Sequence, residues 1–265
     1  MVRDLRRALV GRSLRDVRTG HPQVFRYPSA EAVVAGVEGT RVVAVGRSGK
    51  YIVCRLDTGD DLVVHLGMTG HLLVCDAAAP VAPHTHLRAR MDDGRELRFD
   101  DARRFGRILL GTVESLAEAG AMPWLGVDPL GAGFTPAALD AVLRCTTRTV
   151  KAALLDQTGV AGLGNIYIDE ACFRGRVRPG RRCHRLTRAE RTALFAAITA
   201  VLEKAIANRG SSIDDYRDVW NARGSHQEQL QVYGRAGRPC LACGTRLRRT
   251  VIAARTTVYC PLCQR

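Results

Sequence analysis

The sequence predicts a multidomain α+β protein: a β-sandwich, then a helical domain, then a small cysteine-bearing finger at the C-terminus. Three observations carry this. Between Ser13 and Leu110 apolar residues recur with a period of two, in short runs divided by turn residues. From Pro136 the period lengthens to that of a helix. The chain closes on Cys240-Leu241-Ala242-Cys243 and Cys260-Pro261-Leu262-Cys263, two C-x-x-C pairs separated by sixteen residues. That spacing can set four thiolates tetrahedrally around one Zn2+, each pair at a tight turn. The expected domains are residues 1–118, 125–230 and 231–265.

Taken in order, residues 3–10 read as a helix with Leu5, Ala8 and Leu9 on one face and Gly11 at its end. No capping residue leads into it, so it looks like a helix entered in mid-course. Strands are expected over Arg41–Val45, Tyr51–Leu56, Asp61–Leu66, His71–Val74, His86–Met91 and Glu96–Phe99. Gly46-Arg47-Ser48-Gly49, Asp57-Thr58-Gly59-Asp60 and Asp92-Asp93-Gly94 supply turns between them, and a Pro-bearing loop spans Ala77–Pro83. Residues 115–135, with Pro123, Pro129 and four glycines, read as the connection between domains. Helices follow over Pro136–Leu143 (capped by Thr135), Val150–Asp156, Leu163–Arg174 and Thr187–Asn208. The last opens on a Thr187-x-x-Glu190 capping box, carries Leu194, Ile198, Val201, Leu202 and Ile206 on one stripe, and stops at Gly210. Polar residues 211–230 read as a long mobile loop.

Composition is that of a globular protein, with 46% hydrophobic and 25% charged residues, but Lys and Arg outnumber Asp and Glu by 40 to 26. Residues 231–265 hold seven arginines and no Lys, Asp or Glu, half of the net charge of +14. A finger with one sign of charge points to a polyanion, and nucleic acid is the commonest. Cys54, Cys75, Cys145, Cys172 and Cys183 are scattered in mostly apolar runs and read as reduced core thiols. No signal peptide and no apolar run of membrane-spanning length is evident, so the expectation is a cytoplasmic protein without a membrane partner.

In the helical part, Gly162 and Gly164 flank Leu163 just ahead of a helix that begins with Asn165-Ile166-Tyr167. A Cβ-free turn there exposes N–H groups at a positive helix end, a phosphate cradle, although a purely structural tight turn reads equally well from this run alone. The longer run from Val150 to Glu170 (V-K-A-A-L-L-D-Q-x-x-V-A-G-L-G-N-I-Y-x-D-E) resembles the helix–two-turn–helix of the formamidopyrimidine-DNA glycosylase and endonuclease VIII family. Other stretches resemble the family's landmarks in order. They are the lysine turn Arg47–Tyr51, the intercalation loop His65–Gly70, the wedge hairpin Asp100–Arg107, the finger lead Gln229–Arg235 and the arginine turn Ala254–Thr257. The wedge and the finger are closer to the formamidopyrimidine branch. The resemblance runs from Gly11 to the C-terminus.

It implies base-excision repair of oxidised purines by a glycosylase and abasic-site lyase, acting as a monomer on damaged or abasic double-stranded DNA in the cleft between domains. At the bacterial nucleoid such an enzyme must pull a base from the stack and fill the hole. Met68, Arg103 and Phe105 would be plug, cation and aromatic wedge. His84, Arg148, Lys151, Gly164, Asn165 and Arg255 would grip phosphates, and Lys50, with Arg255, would serve the chemistry at the sugar. Cys240, Cys243, Cys260 and Cys263 would hold the zinc. The preferred lesion is not legible, because the capping loop from Asp215 to Gln227 is only loosely family-like.

The resemblance breaks at the beginning. The family's chain opens on Pro-Glu, whose secondary amine attacks the deoxyribose C1′, and this sequence opens on Met1-Val2-Arg3. Aligning Gly11 with the family's helix-ending glycine puts Met1 inside the family's first helix. Either the missing segment is encoded upstream, or the chain is a catalytically impaired protein of the same fold that binds damaged or abasic DNA. The intact Lys50, Asn165, Arg255 and four cysteines favour the first. A zinc-finger transcription factor is a weaker rival, because no base-reading recognition helix is apparent. The chain as written is expected to bind abasic or tetrahydrofuran DNA with weak or no strand cleavage. Borohydride trapping checks this: any adduct should vanish on Lys50→Ala, whereas strong trapping that survives the substitution would place the nucleophile elsewhere.

Overall fold

The computed structural model describes residues 1–212 and 216–265. They form two compact units, one of Met1–Pro123 with the described part of Arg209–Ser225, the other of Trp124–Asn208 with His226–Arg265.

The first unit begins with helix α1 (Val2–Leu9), where Asp4 accepts a hydrogen bond from the Met1 amine at 3.3 Å and Leu5, Ala8 and Leu9 face inward. β1 (Leu14–Thr19), β2 (Phe25–Tyr27) and helix α2 (Ala30–Val37) follow, then β3 (Val42–Ser48), β4 (Tyr51–Leu56), β5 (Asp61–His65), β6 (His71–Asp76), β7 (Thr85–Met91), β8 (Arg95–Asp100), β9 (Arg107–Leu110) and helix α3 (Val113–Glu118). The strands make two sheets, ordered β1-β7-β8-β6 and β2-β9-β5-β4-β3, and every pair except β2–β9 is antiparallel. Apolar side chains of both sheets, among them Leu14, Val64, Leu87 and Phe99, share one core with α1 and α2. This is the expected sandwich.

Several elements differ from the sequence reading. α2 lies where alternation was expected, because Ser29 accepts the Ala32 N–H at 3.3 Å and starts a helix whose Val33 and Val37 meet the core. Thr112 likewise caps α3, whose residues 115–118 run into the stretch read as a linker. Arg209–Ser225, read as part of the helical domain, packs into the sandwich: Val219 is fully buried and its carbonyl accepts the Val74 N–H at 3.0 Å. Residues 213–215 of that loop, including the start of the expected capping loop at Asp215, lie outside the described residues. Cys75 is half-buried and Cys145 exposed, whereas Cys54, Cys172 and Cys183 are core thiols as expected.

The second unit contains α4 (Pro136–Arg144), α5 (Val150–Leu155), α6 (Asn165–Arg174), α7 (Arg188–Ala207) and a hairpin of β10 (Arg248–Ile252) and β11 (Arg255–Tyr259). Threonines 135, 149 and 187 cap α4, α5 and α7, the last with the Glu190 capping box. The buried face of α7 is Leu194, Ala197, Ile198, Val201 and Ala205; Ile206, expected on it, is half exposed because it lies one residue past the stripe. The finger has a core of only Val232, Leu247, Val258, Cys240 and Cys260, with Phe173 of α6 against it.

Two successive carboxylates of α6 join that finger to the helices. Asp169 pairs with Lys151 of α5 at 2.6 Å, both side chains fully buried, and accepts the Val258 N–H of β11 at 3.0 Å. The Lys151 ammonium also donates to the Thr256 carbonyl at 3.1 Å. Glu170 accepts the N–H groups of Gln231, Val232 and Tyr233, each at 2.9 Å. Burial pushes the Asp169 carboxyl up to about 6 against the pull of Lys151, and burial lowers Lys151 against the pull of Asp169. Removing one charge from such a pair leaves the other stranded. Asp169→Asn, which keeps an acceptor for Val258, should destabilise this unit by about 3 kcal/mol, and adding Lys151→Met should recover part of the loss. Chemical denaturation of the single and double variants checks this; a double variant no more stable than the single one would exclude the stranded ammonium as the cause.

Candidate nucleic-acid interface

In the first unit the candidate residues sit on turns and on links that cross from one sheet to the other. Lys50 follows Gly49 (φ +55°) in the β3–β4 turn and is exposed. Strand register then sets Tyr51 opposite His65 and His65 opposite Arg107. The Tyr51 and His65 rings lie 4.9 Å apart. Burial, then the charges of Arg107 and Lys50, hold His65 down at about 4, so its ring is neutral near pH 7. Its Nδ1 accepts the Gly67 N–H at 3.0 Å, fixing the start of the Leu66–Gly70 link between β5 and β6.

The neighbouring link, 101–106, connects β8 to β9. It is a sheet crossover and not the hairpin the sequence suggested. The two links touch: a Cβ on Gly67 (φ +63°) would fall 2.7 Å from the Gly106 nitrogen and from the Phe105 carbonyl carbon. Met68 and Phe105 are 57% and 51% exposed, large apolar side chains held out from adjoining loops, and the Arg103 guanidinium stands 4.8 Å above the Phe105 ring. His84 is exposed, and its carbonyl accepts the Asp101 N–H at 2.9 Å.

In the second unit the glycine turn is braced by Gln157, whose amide donates to the Leu155 and Leu163 carbonyls at 2.8 and 3.2 Å and accepts the Gly162 N–H at 2.9 Å. Gly162 has φ +88°, and Gly164 is the N-cap of α6, with no side chain to satisfy the first N–H groups. Asn165 donates to the Thr256 carbonyl at 3.2 Å, leaving its own buried oxygen without a partner. Thr256 follows Arg255, which is exposed just after the Ala253-Ala254 turn, where both residues have positive φ. Asn165 and Arg255 are thus brought to one place. Arg148 is exposed and paired with Asp156 at 2.7 Å.

Lys151 is where the expectation fails. A phosphate-gripping role needs an accessible ammonium, and this one is fully buried, bound to Asp169 and to the Thr256 carbonyl. It supports the Arg255 turn from beneath. Its charge neighbours did not mark it as buried, because its partner lies eighteen residues away on another helix. Sequence reasoning also passed over His65, Asp101, Asp169 and Glu170, although Asp169 and Glu170 stand inside the quoted helix–two-turn–helix run.

The four cysteine sulfurs lie within 4.8 Å of one another, with Cys240–Cys263 at 4.0 Å and Cys243–Cys260 at 3.5 Å. Four thiolates around zinc at the usual bond length lie about 3.8 Å apart, so the set fits. Gly244 (φ +74°) closes the first knuckle by donating to the Cys240 carbonyl at 2.9 Å. The second is braced by Gln264, whose side chain accepts the Cys260 N–H at 2.8 Å.

Comparison with known proteins agrees with this geometry. Residues 1–108 match the formamidopyrimidine-DNA glycosylase N-terminal domain, residues 125–217 the H2TH domain of the same enzymes, and residues 237–265 the zinc finger found in FPG and IleRS. The formamidopyrimidine-DNA glycosylase of Chloroflexus aggregans is 46% identical over 92% of this chain and 87% of its own. That of Pelotomaculum thermopropionicum is 40% identical over 99% and 95%. This chain belongs to the formamidopyrimidine-DNA glycosylase family. Among solved structures, FPG from Thermus thermophilus superposes with a TM-score of 0.88 at 38% identity, covering 99% of this chain and 95% of that one. A variant of Lactococcus lactis FPG in complex with Fapy-dG DNA superposes with a TM-score of 0.91 at 30% identity, covering 100% and 96%. The family's zinc finger is therefore present here with all four ligands, and zinc is its metal.

Within this glycosylase fold the neutral His65 ring is the acceptor that fixes the Met68 loop, and that makes a pH prediction. A histidine held below its unfolded value contributes stability that is present above about 6.5 and is lost as pH falls towards 4. Denaturation at stepped pH should show the first unit weakening across that window, and the weakening should be smaller in His65→Gln. An identical pH profile in that variant would assign the loss to other groups.

Proposed function

We propose that this glycosylase-family fold serves the excision of oxidised purines, 8-oxoguanine and formamidopyrimidines, from duplex DNA and the cleavage of the resulting abasic site, as a monomer on the bacterial genome in the cytoplasm. The chain as written, which opens on Met1-Val2-Arg3 in place of the Pro-Glu amine, binds the damaged site and cleaves it weakly or not at all. The observation that carries the reading is the match of its whole length to an FPG fold solved with Fapy-dG DNA. The paired exposure of Met68 and Phe105 on touching links supports it.

The position of each side chain supports a part for it. Taking a base out of the stack costs a few kcal/mol, and a vacated site must be filled. Met68 is an unbranched, polarisable plug that adapts to an irregular hole. Phe105, with the Arg103 cation over its face, is a flat wedge whose guanidinium can donate to the base left behind. Lys50, carried on a turn next to Tyr51 and His65, supplies a cation or amine near the sugar. Arg255 and Asn165, joined through the Thr256 carbonyl, with the backbone at the start of α6 after Gly164, offer a charged donor and backbone donors for phosphate. His84 and Arg148 are exposed and add further contacts. Zinc, when bound, supplies no step of the reaction; it closes the finger through Cys240, Cys243, Cys260 and Cys263 and so holds the hairpin that bears Arg255.

Arg255→Ala or Asn165→Ala should weaken binding to abasic duplex by about 1–3 kcal/mol, and the arginine change should also flatten the salt dependence by about one phosphate. Fluorescence anisotropy across a salt series checks both, and unchanged affinity in both variants would put the phosphate grip elsewhere.

A further inference from the structure

Asp101 is buried, 1% exposed, yet it is an acid on the link that carries Arg103 and Phe105. The hydrogen bonds of its side chain and backbone reach every loop with a candidate base-handling residue in this unit. One carboxylate oxygen accepts the Thr69 hydroxyl at 2.5 Å and the Arg103 N–H at 3.3 Å, and the other accepts the Gly106 N–H at 2.6 Å. Its own N–H donates to the His84 carbonyl at 2.9 Å, and its carbonyl lies 2.9 Å from His86 Nε2. Thr69 follows Met68, while Arg103 and Gly106 bracket Phe105. A single carboxylate therefore ties plug to wedge.

We propose that Asp101 is a positioning residue for base extrusion: through Thr69 on one side and the Arg103 and Gly106 N–H groups on the other, it holds Met68, Arg103 and Phe105 in one register, so that plug and wedge enter the stack together. The proposal rests on the reading of those three residues as the extrusion apparatus. The chemistry of the donors selects a carboxylate. Three donors converge on two oxygens, and the bonds to an ion are the strong kind. An asparagine would turn an NH2 either on the Gly106 N–H or on the Arg103 N–H, donor against donor, so the isostere cannot replace the acid. The bond to Thr69 alone couples the two links through a side chain, and it can be removed without disturbing the rest.

The test is a fluorescence measurement that does not depend on excision. A duplex carries 2-aminopurine beside an 8-oxoguanine, and its rise in emission on mixing with protein reports unstacking. Thr69→Val and Asp101→Asn should lower the extent or rate of that rise by about 10-fold or more, as expected for losing a bond to a charged group, whereas Thr69→Ser should restore it. Affinity for undamaged duplex and its salt slope should stay as in the parent, since phosphate contacts are untouched. Melting curves identify an Asp101→Asn protein that fails to fold, in which case the Thr69→Val and Thr69→Ser pair decides. Met68→Ala and Phe105→Ala are run alongside. If these lose the signal and Thr69→Val keeps it, the coupling role of Asp101 is overturned and the wedge reading stands. If Met68→Ala and Phe105→Ala both keep it, the wedge reading falls and the proposal falls with it.

Discussion

The buried ion pair between Lys151 and Asp169 is the constraint on which the second unit depends. A finger of some thirty residues has too little apolar surface to hold itself against the entropy of its chain, and its own core is five side chains. It needs staples. Zinc is one, and the carboxylates of α6 are the other. Asp169 and Glu170 are consecutive, so they leave the helix about 100° apart and reach two separate stretches, the β11 backbone and the backbone at 231–233. Both accept main-chain N–H groups, which fixes where the chain runs as well as which side chains touch. Desolvating the Asp169 carboxylate is costly, and Lys151 offsets that cost while its second contact goes to the Thr256 carbonyl, beside Arg255.

The first unit solves a different problem. Side chains that must enter another molecule cannot sit on the faces of a sandwich, where alternation sends them into the core or flat against solvent. Met68 and Phe105, the side chains proposed for that task, are exposed on the links that carry the chain from one sheet to the other. Such links are short of ladder hydrogen bonds, and something else must make them rigid. His65 and Asp101 do so by accepting main-chain N–H groups from inside the loops. The Gly67 backbone packs directly on residues 105 and 106, which no side chain would permit. The result is two exposed apolar residues on a braced backbone, so that little loop entropy is lost on engaging a partner.

What the sequence made legible was whatever is local. The cysteine pairs, the threonine caps at 135 and 187, and the Asp-Gly and Gly-bounded turns each act within a few residues, and each stands where expected. α2 escaped because Ala30–Val37 is short and holds three valines, whose β preference outweighs a single serine cap in a pattern reading. Lys151 was misread because lysine is ordinarily a surface residue, and nothing local shows that an aspartate eighteen positions on will bury it. Asp101 and His65 were passed over for a related reason. Their work is done toward backbone atoms of other loops, and a sequence shows side chains, not where a distant main chain will pass.

Charge is the last link between fold and function. The finger contains no acid, so the carboxylates that reach it come from α6, and both are spent on N–H groups. Among the described residues no finger arginine is in a salt bridge. Arginines elsewhere behave otherwise: Arg55, Arg88, Arg98 and Arg191 are each paired with an acid. The joint thus holds the finger in place without tying its arginines into salt bridges. A conventional salt bridge from Asp169 or Glu170 to a finger arginine would have fastened the finger equally well, but at the cost of a charge that a phosphate could otherwise meet. Using backbone donors for attachment keeps the two tasks apart, which is the arrangement that binding a polyanion favours.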